Sequence, residues 1–395
     1  MNDMFYEGLR AKLGTMKKEG KFKTYQHLLA PMSNRTDLEN HGEVVVLCAN
    51  NYLGFSNHPD IVEAGKKALD KYGAGAASVR FICGTYDIHR TLEEKAAAFT
   101  GHEAALTYTS CWNANTAVIP ALVGDGDCVI SDALNHASII DGCRMVGKGV
   151  QKFVYRHSDM EDLERILKSA SACSNKLVIT DGVFSMEGDI ARFPEIMGLA
   201  KKYGAVVLVD DSHATGVIGD TGRGTEEHYH MVGQADILTS TFGKALGGAG
   251  GGFVAGKKEV IDMCIQTSRP SLFSNALPPV MTAMALKALE LLEENPGIVR
   301  SLKEKTEYLR KALLEEGLVP LEGQSAIVPI IVGDTALAIR MAREILEKGV
   351  YVTGFGFPVV PEGSARIRLQ VSDALTCEDL DHSVKVIKEV YDRLI

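Results

Sequence analysis

No apolar run in this chain reaches the roughly 18 residues that a membrane-spanning helix requires, so a helical membrane protein is not expected. The opening segment, MNDMFYEGLRAKLGTMKKEGK, lacks the apolar core of a signal peptide and reads as an amphipathic helix. Paired cysteines are missing too. The eight that occur stand singly, at 48, 83, 111, 128, 143, 173, 264 and 377, with no C-x-x-C. That argues against a zinc or dithiol site and fits reduced thiols in a cytoplasm. No basic stripe stands out, and the net charge is -9, so nucleic acid is not the expected partner. One short basic stretch, Lys17, Lys18, Lys21 and Lys23, reads as a solvated helix end. Internal repeats and low-complexity segments are absent.

What remains is an ordinary globular balance: 395 residues, 46% hydrophobic and 24% charged. That length exceeds one simple core, so a large domain plus a smaller one is expected. Between about residues 57 and 260 helix and strand patterns alternate. His58–Tyr72 carries Ile61, Ala64, Ala68, Leu69 and Tyr72 at helical spacing. Short apolar runs at 104–108, 128–130, 177–179, 206–209 and 237–238 read as strands, with helical stretches at 160–169 and 195–203 among them. Such alternation predicts a mostly parallel sheet covered on both faces, with its chemistry at the carboxyl ends of the strands. A helix over 278–293 follows. After Asn295-Pro296-Gly297 the pattern changes to helices at 302–316 and 336–348, strands at 326–332, 351–354 and 365–371, and a last helix from Thr376. This reads as a smaller α+β domain. The expected division is an N-terminal helical segment 1–49, a large domain 50–295 and a C-terminal domain 296–395.

The polar ends of these strands carry the chemistry. Val206-Val207-Leu208-Val209 delivers Asp210-Asp211-Ser212-His213. Alone, such a carboxylate can bind a metal, cap a helix or pair with a cation. The spacing also suits a different role, in which Asp210 holds a pyridine nitrogen protonated while His213 reaches the ring's phenolic oxygen. A protonated ring nitrogen is what lets the ring delocalise a carbanion. Thr241-Phe242-Gly243-Lys244 follows the next strand and leads into Gly247-Gly248-Ala249-Gly250-Gly251-Gly252. A lone lysine is usually a surface residue. A partly desolvated one is nucleophilic toward an aldehyde, and the glycines permit close backbone approach. Thr241 can donate to a phosphate. Gly251–Lys257 formally spells G-x-x-x-x-G-K, but Lys258 stands where a nucleotide loop needs Ser or Thr, and Gly252–Ala255 reads as a strand.

Three further segments belong with these. Ser110-Cys111-Trp112 opens a helix whose free N–H groups can bind a phosphate; Cys111 itself reads as a packing residue. His136, in Asn135-His136-Ala137-Ser138, is a structural histidine or a flat partner for a ring. Ser185, after Thr180-Asp181-Gly182, can hydrogen-bond a ring oxygen. Toward the C-terminus, alternation puts Arg366 and Arg368 on one strand face, as surface charge or as a fork for a carboxylate. Ser274, in the polar run Ser268–Asn275, is a candidate phosphate ligand.

Together, Asp210-x-x-His213, Thr241-x-x-Lys244 and the glycines resemble the α-oxoamine synthases, a family of fold-type-I pyridoxal 5'-phosphate (PLP) enzymes with an aspartate aminotransferase-like large domain. The likeness runs from Asn50-Asn51-Tyr52-Leu53-Gly54 to Arg366-Ile367-Arg368. It implies an α/β fold with a large, mostly parallel sheet domain and a smaller C-terminal α+β domain. Ala77–Thr85, Ser110-Cys111-Trp112, Ser131–Gly142 and Arg269–Asn275 are most similar to members that join glycine to acetyl-CoA. Members that join alanine to a pimeloyl thioester with loss of CO₂, or bifunctional members that carry out both reactions, are the second resemblance, and a non-catalytic partner subunit is a remote third. Two departures are Trp112, where Phe is common, and Gly250-Gly251 in place of Ser-Gly. The resemblance implies that Lys244 forms the Schiff base with PLP and acts as acid and base. It implies that Asp210 pairs with the ring nitrogen, His213 and Ser185 with the ring oxygen, and that His136 stacks on the ring. Cys111 and Trp112 N–H groups with Thr241 would hold the phosphate, Ser274 would come from the second subunit of a homodimer, and Asn50 and Arg368 would bind the substrate carboxylate. Lys17–Lys23 would meet the phosphates of CoA. No metal site is expected.

Overall fold

Seven short strands, most of them too apolar to face water on either side, build the central sheet of the larger unit: β1 (Ala104–Tyr108), β2 (Cys128–Asp132), β3 (Gln151–Tyr155), β4 (Lys176–Asp181), β5 (Val206–Asp210), β6 (Ile237–Thr241) and β7 (Gly252–Gly256). The computed structural model describes residues 3–395; Met1 and Asn2, part of the expected N-terminal helix, lie outside them. The strand order is β1-β7-β6-β5-β4-β2-β3. Strand β7 runs antiparallel to both neighbours, and the remaining pairs are parallel. Two reversals cancel, so β1 points the same way as β6, and six strands end on one edge.

Alternation sorts the sheet's side chains. Val129, Leu177, Ile179, Leu208, Ile237 and Val254 pack on one face with Ala114, Ala117 and Val118. Cys128, Ile130, Val178, Val207 and Val209 pack on the other with Leu163, Ile166, Ile196 and Ala200. A sheet buried on both faces explains why its strands read as continuous apolar runs. Strand β3 is not expected from sequence. It is an edge strand, and of its five residues only Tyr155 is buried, so it has no apolar run to read. Gly252–Gly256 is a strand between two partners, which removes the nucleotide-loop reading of Gly251–Lys257.

By its contacts the chain divides into two compact units, residues 50–185 with 189–303, and residues 1–49 with 186–188 and 304–395. The smaller unit holds two three-stranded sheets. Ala365–Gln370 lies between Ile327–Gly333 and Thr353–Phe355, antiparallel to both. Gly42–Val46 lies between Arg35–Leu38 and Val350–Tyr351. Two expectations are corrected here. The run at 351–354 is not one strand, because Val350–Tyr351 and Thr353–Phe355 join different sheets. Residues 1–49 are not simply helical: the helix Asp3–Lys18 is followed by strands at Arg35–Leu38 and Gly42–Val46. None of that helix's side chains is buried. Among the described residues no helix is long and apolar enough to cross a membrane.

Candidate active site

Five of the six co-directed strands send a polar segment into one cavity of about 180 Å³. Its walls are Ser110, Cys111, Trp112, His136, Ser138, Asp181, Val183, Asp210, Ser212, His213, Thr241 and Lys244. Asp210 ends β5, and in register it sits between Asp181 of β4 and Thr239 of β6. A ring held between Asp210 and Lys244 requires both side chains to border one ring-sized space, and both line this cavity. Asn50, Ser185 and Ser274 are not among its walls.

The Asp210 carboxylate is held by several groups. Its Oδ1 accepts the Ser212 N–H at 2.9 Å, and its Oδ2 accepts Asn115 Nδ2 at 2.6 Å. Cys111 Sγ lies 3.7 Å from Oδ2. Burial, then the charge of Asp210, pushes the Cys111 thiol well up, so the sulfur is a neutral donor and not a nucleophile. Burial and, second, Asp210 also push Asp181 well above the usual carboxylate range. Asp181 Oδ2 accepts the His136 N–H at 3.0 Å.

His136 caps the helix Ala137–Met145: its Nδ1 accepts the Ser138 N–H at 3.3 Å. Its ring meets Trp112 edge-on, with centroids 5.8 Å apart. Burial pushes the His136 pKa down, which leaves the imidazole neutral at pH 7. On the His213 side, Nδ1 lies 2.8 Å from the hydroxyl of the fully buried Tyr52. Sequence reasoning singles out neither Tyr52 nor Asn115. Asn115 is 95 residues from Asp210 and Tyr52 is 161 from His213 along the chain, so neither contact leaves a local pattern.

The glycine run has a local cause. A Cβ on Gly252 would come within 2.3 Å of Cys111 N and 2.6 Å of the Ser110 carbonyl carbon, so only glycine lets β7 approach the helix Cys111–Leu122 this closely. Ser110 caps that helix, accepting the Asn113 N–H at 3.1 Å. The first N–H groups of a helix have no partner within it and attract anions. Thr241 Oγ1 donates to Gly251 O at 2.9 Å and accepts the Gly243 N–H at 3.0 Å.

In the smaller unit Arg366 and Arg368 are only 4% and 8% exposed, which dismisses surface charge as their explanation. Arg366 Nη1 donates to Met186 O and pairs with Glu187 at 3.0 Å. Arg368 Nη2 donates to Gln370 Oε1 at 3.0 Å, and its guanidinium lies 4.5 Å over the Phe355 ring. Lys21 pairs with Glu19 at 3.0 Å.

The donor set fits a phosphorylated pyridine aldehyde. A carboxylate and an amine share one cavity, a neutral imidazole forms a wall, and a helix N-terminus supplies anion-binding N–H groups. Ser212 Oγ, on the wall, is buried without a partner. Among the described residues no group of His, Cys, Asp and Glu side chains is placed to hold a metal.

Comparison with known proteins agrees. The family model for class I and II aminotransferases matches residues 42–387. The chain belongs to that family, in its α-oxoamine synthase branch. Several members of the branch are close. The 2-amino-3-ketobutyrate coenzyme A ligase of Escherichia coli K12 is 44% identical over all of this chain and 99% of its own length. The human mitochondrial protein of the same name is 48% identical over 88% of this chain and 83% of its own. The 8-amino-7-oxononanoate synthase of Thermoanaerobacter pseudethanolicus is 43% identical over 98% and 97%. A high-resolution structure of SPT with a PLP internal aldimine superposes with a TM-score of 0.92 at 30% identity, over 99% of this chain and 98% of that one. The fold of this α-oxoamine synthase relative is that of the fold-type-I PLP transferases, with the expected mostly parallel sheet.

Proposed function

We propose that the protein is a PLP-dependent C-acyltransferase that condenses glycine with acetyl-CoA to 2-amino-3-ketobutyrate and CoA, a glycine C-acetyltransferase serving threonine breakdown. One observation carries the reading: Asp210 and Lys244 face one cavity, whose walls also present His136 and the start of the helix at Cys111. The Escherichia coli and human ligases carry 2-amino-3-ketobutyrate and coenzyme A in their names, the two products this condensation would give.

When bound, PLP supplies an aldehyde for the amino group and a cationic ring that takes up the electron pair left at Cα. The chain's own residues do the rest. Asp210 keeps the ring nitrogen's proton in place, buttressed by Ser212 N–H and Asn115. Lys244 is the covalent anchor, and its Nζ removes the glycine Cα proton and later returns one. With the cofactor bound, His213, held by Tyr52, would meet the ring oxygen and His136 would cover one ring face; Ser185, beyond the cavity's walls, would reach the same oxygen by turning inward. Backbone N–H groups of Cys111 and Trp112 would hold the phosphate, joined by Thr241 once its hydroxyl turns from Gly251 O. A homodimer brings Ser274 from the second subunit. Arg368, whose fork grips two oxygens, and Asn50 bind the substrate carboxylate. A new bond joins glycine Cα to the acetyl carbon, and the CoA thiol leaves. A cytoplasmic location and contact of Lys17–Lys23 with CoA phosphates belong to the same proposal.

The Thermoanaerobacter synthase favours a second reading, alanine with a pimeloyl thioester and loss of CO₂, because its identity is nearly as high. Thiol release with glycine plus acetyl-CoA, set against alanine plus pimeloyl-CoA, separates the two. The glycine pair is expected to turn over faster, and release with the alanine pair alone would sink the proposal.

A further inference from the structure

Behind the cavity, two of its walls are joined by a buried chain of hydrogen bonds that the proposed reaction leaves unexplained. Asn115, fully buried in the helix Cys111–Leu122, is its centre. Thr239 Oγ1 donates to Asn115 Oδ1 at 2.8 Å. At the other end of the amide, Nδ2 lies 2.6 Å from Asp210 Oδ2. A carboxylate only accepts, so the amide can turn just one way, with its NH₂ toward Asp210. The second hydrogen of that NH₂ goes to Ser138 Oγ at 3.0 Å. Nδ2 also lies 3.8 Å from Cys111 Sγ.

The direction then propagates. Having accepted from Asn115, the Ser138 hydroxyl keeps its own hydrogen for His136 Nδ1, 2.8 Å away. The Ser138 backbone N–H points at the same nitrogen from 3.3 Å. With two donors aimed at it, Nδ1 is an acceptor, and a neutral His136 carries its proton on Nε2.

We propose that Asn115 and Ser138 are positioning residues: they tie the Asp210 carboxylate to the Nε2–H tautomer of His136, so the charge on one wall sets the proton on the other. What His136 and Asp210 then do rests on the proposed function, whereas the tautomer does not. Partners of this kind act by fixing the rotamer and proton of the group that touches the reaction.

The test uses the full chain labelled with ¹⁵N-histidine, with a His136→Gln protein to assign the His136 signals. Ring nitrogen shifts are read before and after PLP is added. Wild type and Ser138→Thr, which retains the hydroxyl, are expected to show a protonated Nε2 and a bare Nδ1. In Ser138→Ala only the longer backbone N–H contact still holds Nδ1 as an acceptor, and in Asn115→Leu the amide no longer turns the Ser138 hydroxyl toward it, so in both the pattern is expected to weaken to a mixture of tautomers. The same two variants are expected to raise the PLP dissociation constant and to lower kcat, each about tenfold to a hundredfold. Their KM for glycine should move far less. If Ser138→Ala and Asn115→Leu both keep the wild-type tautomer, the proposal is overturned, whatever happens to activity. Should Asn115→Leu fail to fold, Ser138→Ala decides alone, since it removes only one oxygen. A wild-type protein that takes up no PLP and releases no thiol refutes the proposed function instead, and the tautomer, read before cofactor is added, still decides the network.

Discussion

The Tyr52 hydroxyl lies 2.8 Å from His213 Nδ1, joining the segment before the first helix of the larger unit to the loop after β5. Both residues are buried, so the contact fixes the imidazole's orientation. Tyr52→Phe removes only the oxygen and leaves the packing. It is expected to lower kcat by about twofold to tenfold, the worth of one neutral hydrogen bond, with little change in thermal midpoint. An unchanged kcat would show that His213 needs no support.

Lys244→Ala is expected to abolish the borohydride-reducible attachment of PLP and to cut turnover by about two to four orders of magnitude. Peptide mapping after reduction checks the first outcome in wild type, where the label should fall on Lys244. A label on any other lysine would remove this residue from its assigned role.

Gly252→Ala should damage the site without touching a polar group. Its Cβ would meet the backbone of Ser110 and Cys111 at 2.6 and 2.3 Å, and backbone cannot step aside as a flexible side-chain tip can. A loss of about 1–3 kcal/mol in unfolding free energy is expected, together with weaker PLP retention, because the displaced segment opens the helix aimed at the phosphate. Denaturant titration and cofactor occupancy after dialysis measure both.

Asp211, next to the Asp210 of the site, gives a pH prediction. Burial pushes its carboxyl up to about 7, against hydrogen bonds from Thr225. Thr225 N–H donates to Oδ2 at 2.9 Å. Because the folded state holds this proton more tightly than the unfolded chain, the group's contribution is complete below its unfolded pKa of 3.8 and is lost as pH rises toward 7. Wild-type stability should therefore carry a falling component across that window. Asp211→Asn should flatten it, as read by urea unfolding at a series of pH values. An equal slope in both proteins would count against a buried, proton-bearing Asp211.

Cys111 should resist thiol reagents in the folded protein, because burial and the neighbouring Asp210 keep it a thiol. Exposed Cys83 and Cys377 should react first. Rapid modification at Cys111, mapped by mass spectrometry, would contradict the closed packing around Asp210.

Much of this molecule is legible one-dimensionally. Apolar runs mark β1, β2, β4, β5 and β6 because those strands are buried on both faces, and the polar residues after them mark where chemistry would sit. Asp210 and Lys244 stand out only in combination, as Asp210-x-x-His213 followed by Thr241-x-x-Lys244 and its glycines, because either residue alone has several other uses. Tertiary structure alone decided the rest. Strand β3 pairs on one side only and needs no apolar run. The stretch at 350–355 divides between two sheets because hydrogen-bonding partners, not local preference, choose a strand's sheet. Asn115 and Tyr52 act through atoms near in space and distant in sequence, and hydrogen-bond direction among buried groups exists only once the backbone has set their distances.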